Sequence, residues 1–165
     1  MFQITPISQR NPQWSGDKLG FGSRTIGLYG CTITCLTMLL NYLGYSETPK
    51  TVNLTLKTLG EYDPVKNPKG AFQGSLLVWG NVQRKYPKIR FVYRDWNYQN
   101  VKVWIWINVY PRLPVMVEVN AAKIGGLKHW VLFKGSQRCN DPWTGTEIST
   151  GYYIPLTGDA LYNKV

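Results

Sequence analysis

The chain has 165 residues, of which 44% are hydrophobic and 17% are charged. This length and composition suit a globular protein, so we expect residues 1–165 to form a single domain, and they exclude a disordered chain. The apolar runs are too short to cross a bilayer, so we expect no membrane span. Lys and Arg total 19 against 9 acidic residues, which gives a formal net charge of +10.

The positive charge favours contact with a polyanion, such as an acidic cell-wall polymer, a nucleic acid or a membrane surface. The basic residues are scattered and no nucleic-acid-binding motif is present, so nucleic acid is not the partner that we expect. The residues that follow Met1 show no basic region leading into an apolar core, so we expect no secretory signal. We expect such a protein to be cytoplasmic as synthesised, and either to work where it is made or to leave the cell by another route, for example lysis or packaging in a particle.

The first part of the chain is predicted to be looped and then helical. Residues 1–30 lack periodicity, and a helix is predicted from about 31 to 43, where apolar residues recur at spacings of three and four. Gly44 suits the left-handed conformation that ends a helix. Thr48 and Pro49 predict the start of a second helix.

Further along the chain the pattern changes from helical to strand-like. A third helix is predicted between Ser75 and Pro87, and turns are predicted at 135–140 and 141–145. Residues 101–109 fit both periodicities, although their β-branched side chains favour a strand. The predicted strands are 89–94, 114–119, 129–133 and 151–155. Helices followed by antiparallel strands predict an α+β fold.

Cys31 is the first candidate for chemistry, because it lies at the start of the most apolar helix. The positive end of a helix dipole favours the thiolate form of a cysteine. The alternative is a small buried side chain with no chemical role, as most free cysteines are. The chain has 3 cysteines, so a complete disulfide framework is excluded. Cys31 and Cys35 are spaced poorly for a structural bridge, so we expect reduced thiols.

His129 is the one histidine of the chain, and Asp141 follows it after one predicted turn. A thiol nucleophile needs an imidazole that takes its proton, and a third group that orients the imidazole. Cys31, His129 and Asp141 supply these three groups. Taken separately, a histidine at a strand end and an aspartate before proline are usually structural. Zinc binding by Cys31, Cys35, His129 and Cys139 is a rival interpretation, although structural zinc sites usually show two tight ligand pairs.

Five short motifs follow one another between residues 9 and 146. They are Gln9-x-Asn11-Pro12-x-Trp14, Gly27-x-x-Gly30-Cys31-Thr32-x-Thr34, Pro114-Val115, His129-Trp130-Val131 and Asp141-Pro142-x-x-Gly145. As a set, their order and spacing resemble the papain-like cysteine peptidases of the double-glycine (bacteriocin-processing) peptidase-like group. The resemblance is to the stand-alone branch of that group, which lacks transporter segments.

The resemblance implies a papain-like α+β fold, in which the helix of the nucleophile packs against an antiparallel sheet. It implies Cys31 as the nucleophile, His129 as the base, Asp141 as the orienting group and Gln9 as a donor to the oxyanion. It also implies a helix at about 98–109, which we adopt over a strand. No cofactor or metal is implied.

The function that these observations predict is a thiol-dependent peptide or amide hydrolase, which in one version acts like a lysin on bacterial cell-wall peptide. Aromatic rings suit peptide or sugar binding, and the candidates for substrate binding are Trp14, Trp130 and Trp143. One alternative is a catalytically degenerate papain-like domain that binds peptide or glycan through its aromatic side chains. The other is a zinc-stabilised binding domain.

Overall fold

The computed structural model describes residues 2–59, 62, 66, 68–69, 74–95, 113–126, 128–153 and 156–165. The α-helices are α1 (Ile26–Tyr29), α2 (Cys31–Tyr42) and α3 (Pro49–Thr58), and 3₁₀ helices form at Trp79–Arg84, Ala122–Ile124 and Thr150–Tyr152. The strands are β1 (Ile89–Asp95), β2 (Val115–Asn120), β3 (Lys128–Phe133), β4 (Arg138–Asp141), β5 (Thr146–Ser149) and β6 (Leu156–Lys164). The helix predicted at 98–109 lies outside the described residues.

The described strands form one sheet in the order β1-β6-β2-β3-β4-β5. Every neighbouring pair in this sheet is antiparallel. In the part of the chain that the structure describes, the α-helices precede the strands, so the predicted α+β class is confirmed. Within this part of the chain, no helix has the length and apolar character needed to cross a membrane.

Helix α2 begins at Cys31, as predicted, and is buried continuously over residues 33–40. Its end follows the predicted glycine signal, since Gly44 has φ +85°. The N–H of Gly44 donates to the Asn41 carbonyl at 3.0 Å, and the N–H of Tyr45 donates to the Leu40 carbonyl at 3.1 Å. These two bonds satisfy carbonyls that have no helical partner at the end of the helix. Burial of its apolar side chains and these terminal bonds therefore both stabilise α2.

The second predicted helix is confirmed as α3, and its start has reciprocal capping. The Thr51 N–H donates to the Thr48 hydroxyl, and the Thr48 N–H donates to the Thr51 hydroxyl. The third predicted helix is instead the 3₁₀ helix Trp79–Arg84. Gly80 lowers the helix propensity of this segment. The Trp79 carbonyl accepts a hydrogen bond from the Tyr162 hydroxyl on the sheet.

Three predictions in the second half of the chain are corrected or refined. No strand forms among the described residues of the range 151–155; a 3₁₀ helix occupies Thr150–Tyr152, and β6 begins at Leu156. The turn predicted at 135–140 is shorter, because Ser136 and Gln137 take positive φ values of 52° and 57°. That tight turn leaves Arg138 onwards free to form β4 between β3 and β5. Near the N-terminus, α1 interrupts the predicted loop.

The central strands of the sheet are buried on both faces. On β3, Trp130 and Leu132 belong to the core that includes α2, whereas Val131 and Phe133 belong to a second core on the opposite face. The alternation follows from the two-residue period of a strand. Strand β3 is therefore a central, buried element, and His129 is its second residue.

Candidate active site

Cys31 is fixed at the start of α2 by a junction that requires glycine. Gly30 joins α1 to α2, and a Cβ atom at this position would lie 2.4 Å from the Ile26 carbonyl oxygen. No other residue fits without displacing α1. Cys31 is partly exposed and, like His129, lines a cleft of about 640 Å³.

His129 lies between Cys31 and Asp141, so the structure brings these three candidate residues together. Its Nε2 is 2.7 Å from Asp141 Oδ1, and the two side chains are 3% and 0% exposed. Because a carboxylate only accepts, Nε2 carries the proton in this bond, and Nδ1 is left for the thiol. Burial lowers the pKa of His129, but hydrogen bonding to Asp141 and to Cys31, together with their charges, raises it to about 9. The imidazole is therefore charged at neutral pH.

Asp141 is held as an anion by three donors. Besides His129, the backbone N–H of Trp143 donates to Oδ1 at 2.8 Å, and the Tyr153 hydroxyl donates to Oδ2 at 3.0 Å. Burial raises the pKa of Asp141, but these bonds and the charge of His129 outweigh burial and lower it. Sequence reasoning missed Tyr153, because it assigned this residue to a strand and no local motif links it to Asp141.

The turn that carries Asp141 also holds the segment that carries Gln9. The N–H of Gly145 closes the turn on the Asp141 carbonyl at 2.8 Å, and the N–H of Gln9 donates to the Pro142 carbonyl at 2.8 Å. Gly145 has φ +70°, and a Cβ atom here would lie 2.6 Å from the Cβ of Ser8. The glycine of the Asp-Pro-x-x-Gly motif is therefore required for close approach, and the turn positions two candidate residues together.

Gln9 is only 1% exposed and lines the same cleft as Cys31. Its Nε2 donates to the Gly27 carbonyl at 3.0 Å, and because that carbonyl only accepts, the bond fixes the orientation of the amide. Gly27 is anchored in turn, since its N–H donates to the Ser15 carbonyl at 2.9 Å. One N–H of the Gln9 amide is then left for another acceptor, and the role of Gln9 as a donor to an oxyanion stays a prediction.

Two of the three predicted tryptophans line the cleft. Trp130 is 6% exposed, and the ring of Trp143 lies under the Arg10 guanidinium at 4.7 Å. Trp14 is instead buried in the core, and its indole N–H donates to the Ser8 carbonyl at 2.9 Å. Its role is to anchor the loop just before Gln9, which corrects the prediction that it binds substrate.

The structure does not assemble the rival zinc site. Among the described residues, which include all four proposed ligands, no group of three or more His, Cys, Asp or Glu side chains could hold a metal ion. Burial raises the pKa of the Cys139 thiol to about 12, and burial likewise raises the pKa of the Cys35 thiol well above its ordinary value. Burial therefore disfavours the thiolate form of both cysteines.

The chain matches no protein-family model, no curated protein and no solved structure. Its function is therefore inferred from the chemistry of the site. In that site a partly exposed thiol, a charged and buried imidazole and an oriented amide line one cleft, and a buried carboxylate with three donors is bonded to the imidazole.

Tyr153→Phe tests whether the third donor to Asp141 matters. Losing a hydrogen bond to a charged group is expected to cost about 1.5–3 kcal/mol of stability. A carboxyl group whose pKa is lowered by folding stabilises the fold at any pH above its pKa in the unfolded chain, which is near 3.8. This stabilisation is lost as pH falls through the pKa of the group in the folded protein. The variant should therefore begin to unfold at higher pH than the wild type during acid titration.

Circular dichroism across an acid titration measures this effect. Tyr152→Phe is the matched control, because Tyr152 is 45% exposed and packs on the Tyr153 ring. If both variants unfold at the same acid pH as the wild type, Tyr153 does not support the carboxylate.

Proposed function

We propose that this protein is a cysteine peptidase or amidase that cleaves a peptide or amide bond through an acyl-enzyme on Cys31. The observation that supports this most strongly is the position of His129, which lies between a cysteine at a helix start and a buried carboxylate. An imidazolium beside a cysteine favours the thiolate, which is the nucleophilic form. The oriented Gln9 amide adds the donor that an acyl-transfer site needs.

The proposed reaction uses these positions. His129 Nδ1 holds the proton of the Cys31 thiol, and the thiolate sulfur attacks the carbonyl carbon of the scissile bond. The oxyanion that forms accepts from the Gln9 amide and from the backbone N–H of Cys31, which has no helical acceptor at the start of α2. The C–N bond then breaks, and His129 protonates the leaving amine. Water next attacks the thioester carbonyl and gives a proton to His129. The C–S bond then breaks, which releases the acid product and restores the pair of Cys31 thiolate and His129 imidazolium.

The layout also supports a papain-like fold. The helix that begins at Cys31 packs on an antiparallel sheet, and that sheet supplies His129 from β3 and Asp141 from β4. This is the arrangement that the resemblance of the five motifs implies. The net charge of +10 suits a lysin-like enzyme that acts on peptide within an anionic bacterial wall.

Labelling with iodoacetamide at pH 6, followed by peptide mapping, tests the nucleophile. We expect Cys31 to be modified first and hydrolysis to be lost in proportion, because an imidazolium neighbour keeps a thiol reactive at low pH. Cys35 and Cys139 are internal controls, since both are 0% exposed. Hydrolysis that continues after complete modification of Cys31 would contradict the proposal.

Activity itself is assayed on a bacterial peptidoglycan digest and on a mixed peptide library, with mass spectrometry used to find new amino groups. Cys31→Ala is the matched control for contaminating enzymes. Cleavage by the wild type but not by the variant supports the proposal. Peptides that are bound but left intact by both proteins would instead identify the catalytically degenerate binding domain.

A further inference from the structure

The cleft contains a charged cluster that the proposed reaction does not use. Glu118, on β2, is only 3% exposed. Its carboxylate accepts from Arg94 at 3.1 Å, from Lys128 at 2.7 Å and from the Thr157 hydroxyl at 3.0 Å. A buried carboxylate is costly unless it is paired, and here two cations and a hydroxyl pair it. Its partners come from β1, β3 and β6, so the cluster is fixed by four strands.

The cluster holds a guanidinium rigidly at the wall of the cleft. The Arg94 guanidinium carbon lies 5.3 Å from the centroid of the Trp79 ring and 5.0 Å from that of Trp130. The Arg94 side chain is 16% exposed, and the Lys128 side chain is 54% exposed. Ion pairing and cation–π contact thus fix one cation before any ligand arrives, which lowers the entropy lost on binding.

The ionisable side chains that line the cleft favour an anion. Besides His129, the described lining includes the cations Arg24, Arg94 and Lys128 against the single carboxylate of Glu118. Glu118 already accepts from three donors, so it offers little to an incoming cation. The Lys128 ammonium has three N–H donors and gives one to Glu118, so it can also donate to a ligand.

We propose that Arg94 and Lys128 form a subsite for a carboxylate of the peptide substrate, either an acidic side chain or a free carboxyl terminus. This inference rests on the proposed function, because the subsite lines the cleft that contains Cys31 and His129. Charge-assisted bonds from a fixed guanidinium and an ammonium are the usual means of recognising a carboxylate. The subsite selects peptides whose carboxylate reaches this wall when the scissile bond lies at Cys31.

Binding is measured without chemistry on the full chain carrying Cys31→Ala. The probes are fluorescein-labelled hexapeptides that differ at one position, which carries Glu or Gln and is moved along the peptide in turn. A second pair differs only in a free or an amidated carboxyl terminus, which separates the two sources of the carboxylate. We expect one carboxylate position to bind at least about ten-fold more tightly than its amide at low salt. The preference should shrink as salt is added.

Lys128→Gln in the same background should remove most of this preference. The fold should persist, because Arg94 and Thr157 still donate to Glu118, and thermal unfolding checks this. Lys164→Gln is the matched control, since it removes one exposed positive charge at the end of β6, and Lys164 is not among the described residues of the cleft wall. Of these two variants, only Lys128→Gln is expected to lose the preference for the carboxylate peptide over its amide.

Equal binding of every Glu and Gln pair, or no binding of any probe at millimolar concentration, overturns the inference. A preference that survives in both Lys128→Gln and Arg94→Gln also overturns it. Carboxylate preference together with an inert Cys31 would keep the subsite and reject the hydrolase. Turnover that depends on Cys31 but does not distinguish carboxylate peptides from their amides would keep the hydrolase and reject the subsite.

Discussion

Replacing His129 with alanine will lower kcat/KM by about 10²–10⁴-fold, the usual contribution of a positioned acid and base. The chain has a single histidine, so no second imidazole can take over the proton transfers. The same variant will make Cys31 less reactive towards iodoacetamide at pH 6, since the neighbouring positive charge is removed. Turnover on a peptide substrate and the rate of labelling measure the two effects independently.

The difference in stability between the wild type and His129→Ala should become smaller as pH rises. The pKa of folded His129 is about 9, above the ordinary value of 6.5. A raised pKa of this kind stabilises the fold fully below pH 6.5, and the contribution disappears as pH rises through 9. The wild type should therefore exceed His129→Ala in stability by on the order of 3 kcal/mol below pH 6.5, and by much less above pH 9.

Lys164→Ala serves as the control, because Lys164 is exposed at the end of β6. It should match the wild type in turnover and in the pH dependence of unfolding. Full hydrolysis by His129→Ala would rule out the mechanism that uses one histidine. A stability difference that stays constant from pH 5 to pH 10 would show that the charged imidazole does not stabilise the fold.

Features with local causes were predictable from the sequence. Helix α2 and its glycine end, the capped start of α3 and the turn after Asp141 each depend on residues within a few positions of one another. Cys31, His129 and Gln9 could be identified as candidates because each lies in a short motif, the first at the start of a predicted helix and the second at the start of a predicted strand. The structure then places these three side chains along one cleft, and the buried Asp141 is hydrogen-bonded to His129.

Features that depend on distant pairing were not predictable. Strand β6 contains Gly158 and Asp159, which have low strand propensity, and it forms because β1 and β2 pair with it on both sides. Tyr153 supports Asp141 only because a 3₁₀ helix follows β5. Likewise, nothing near Glu118 in the sequence indicates that its partners come from three other strands.

Cys31→Ala and Cys35→Ala will have opposite effects, although the two residues lie on the same helix. Cys31→Ala removes the nucleophile, so turnover should vanish, while a small residue at the helix start leaves α2 and its packing intact. Cys35 is 0% exposed in the core, so Cys35→Ala leaves a modest cavity that costs about 1–2 kcal/mol. Its turnover should survive. Turnover and thermal unfolding of both variants test this contrast.

The single histidine adds a third measurement, because its imidazole gives one pair of ring signals in an NMR titration. Hydrogen bonding and charge from Cys31 both raise the pKa of His129. His129 in the Cys31→Ala variant should therefore have a pKa below the value of about 9 in the wild type. Cys35 is not among the groups that raise it, so Cys35→Ala should leave the titration unchanged and acts as the matched control. Zinc ligation would give another pattern, in which both alanines destabilise the protein strongly and chelator mimics them. That pattern, with zinc bound to the wild type, would overturn the peptidase assignment.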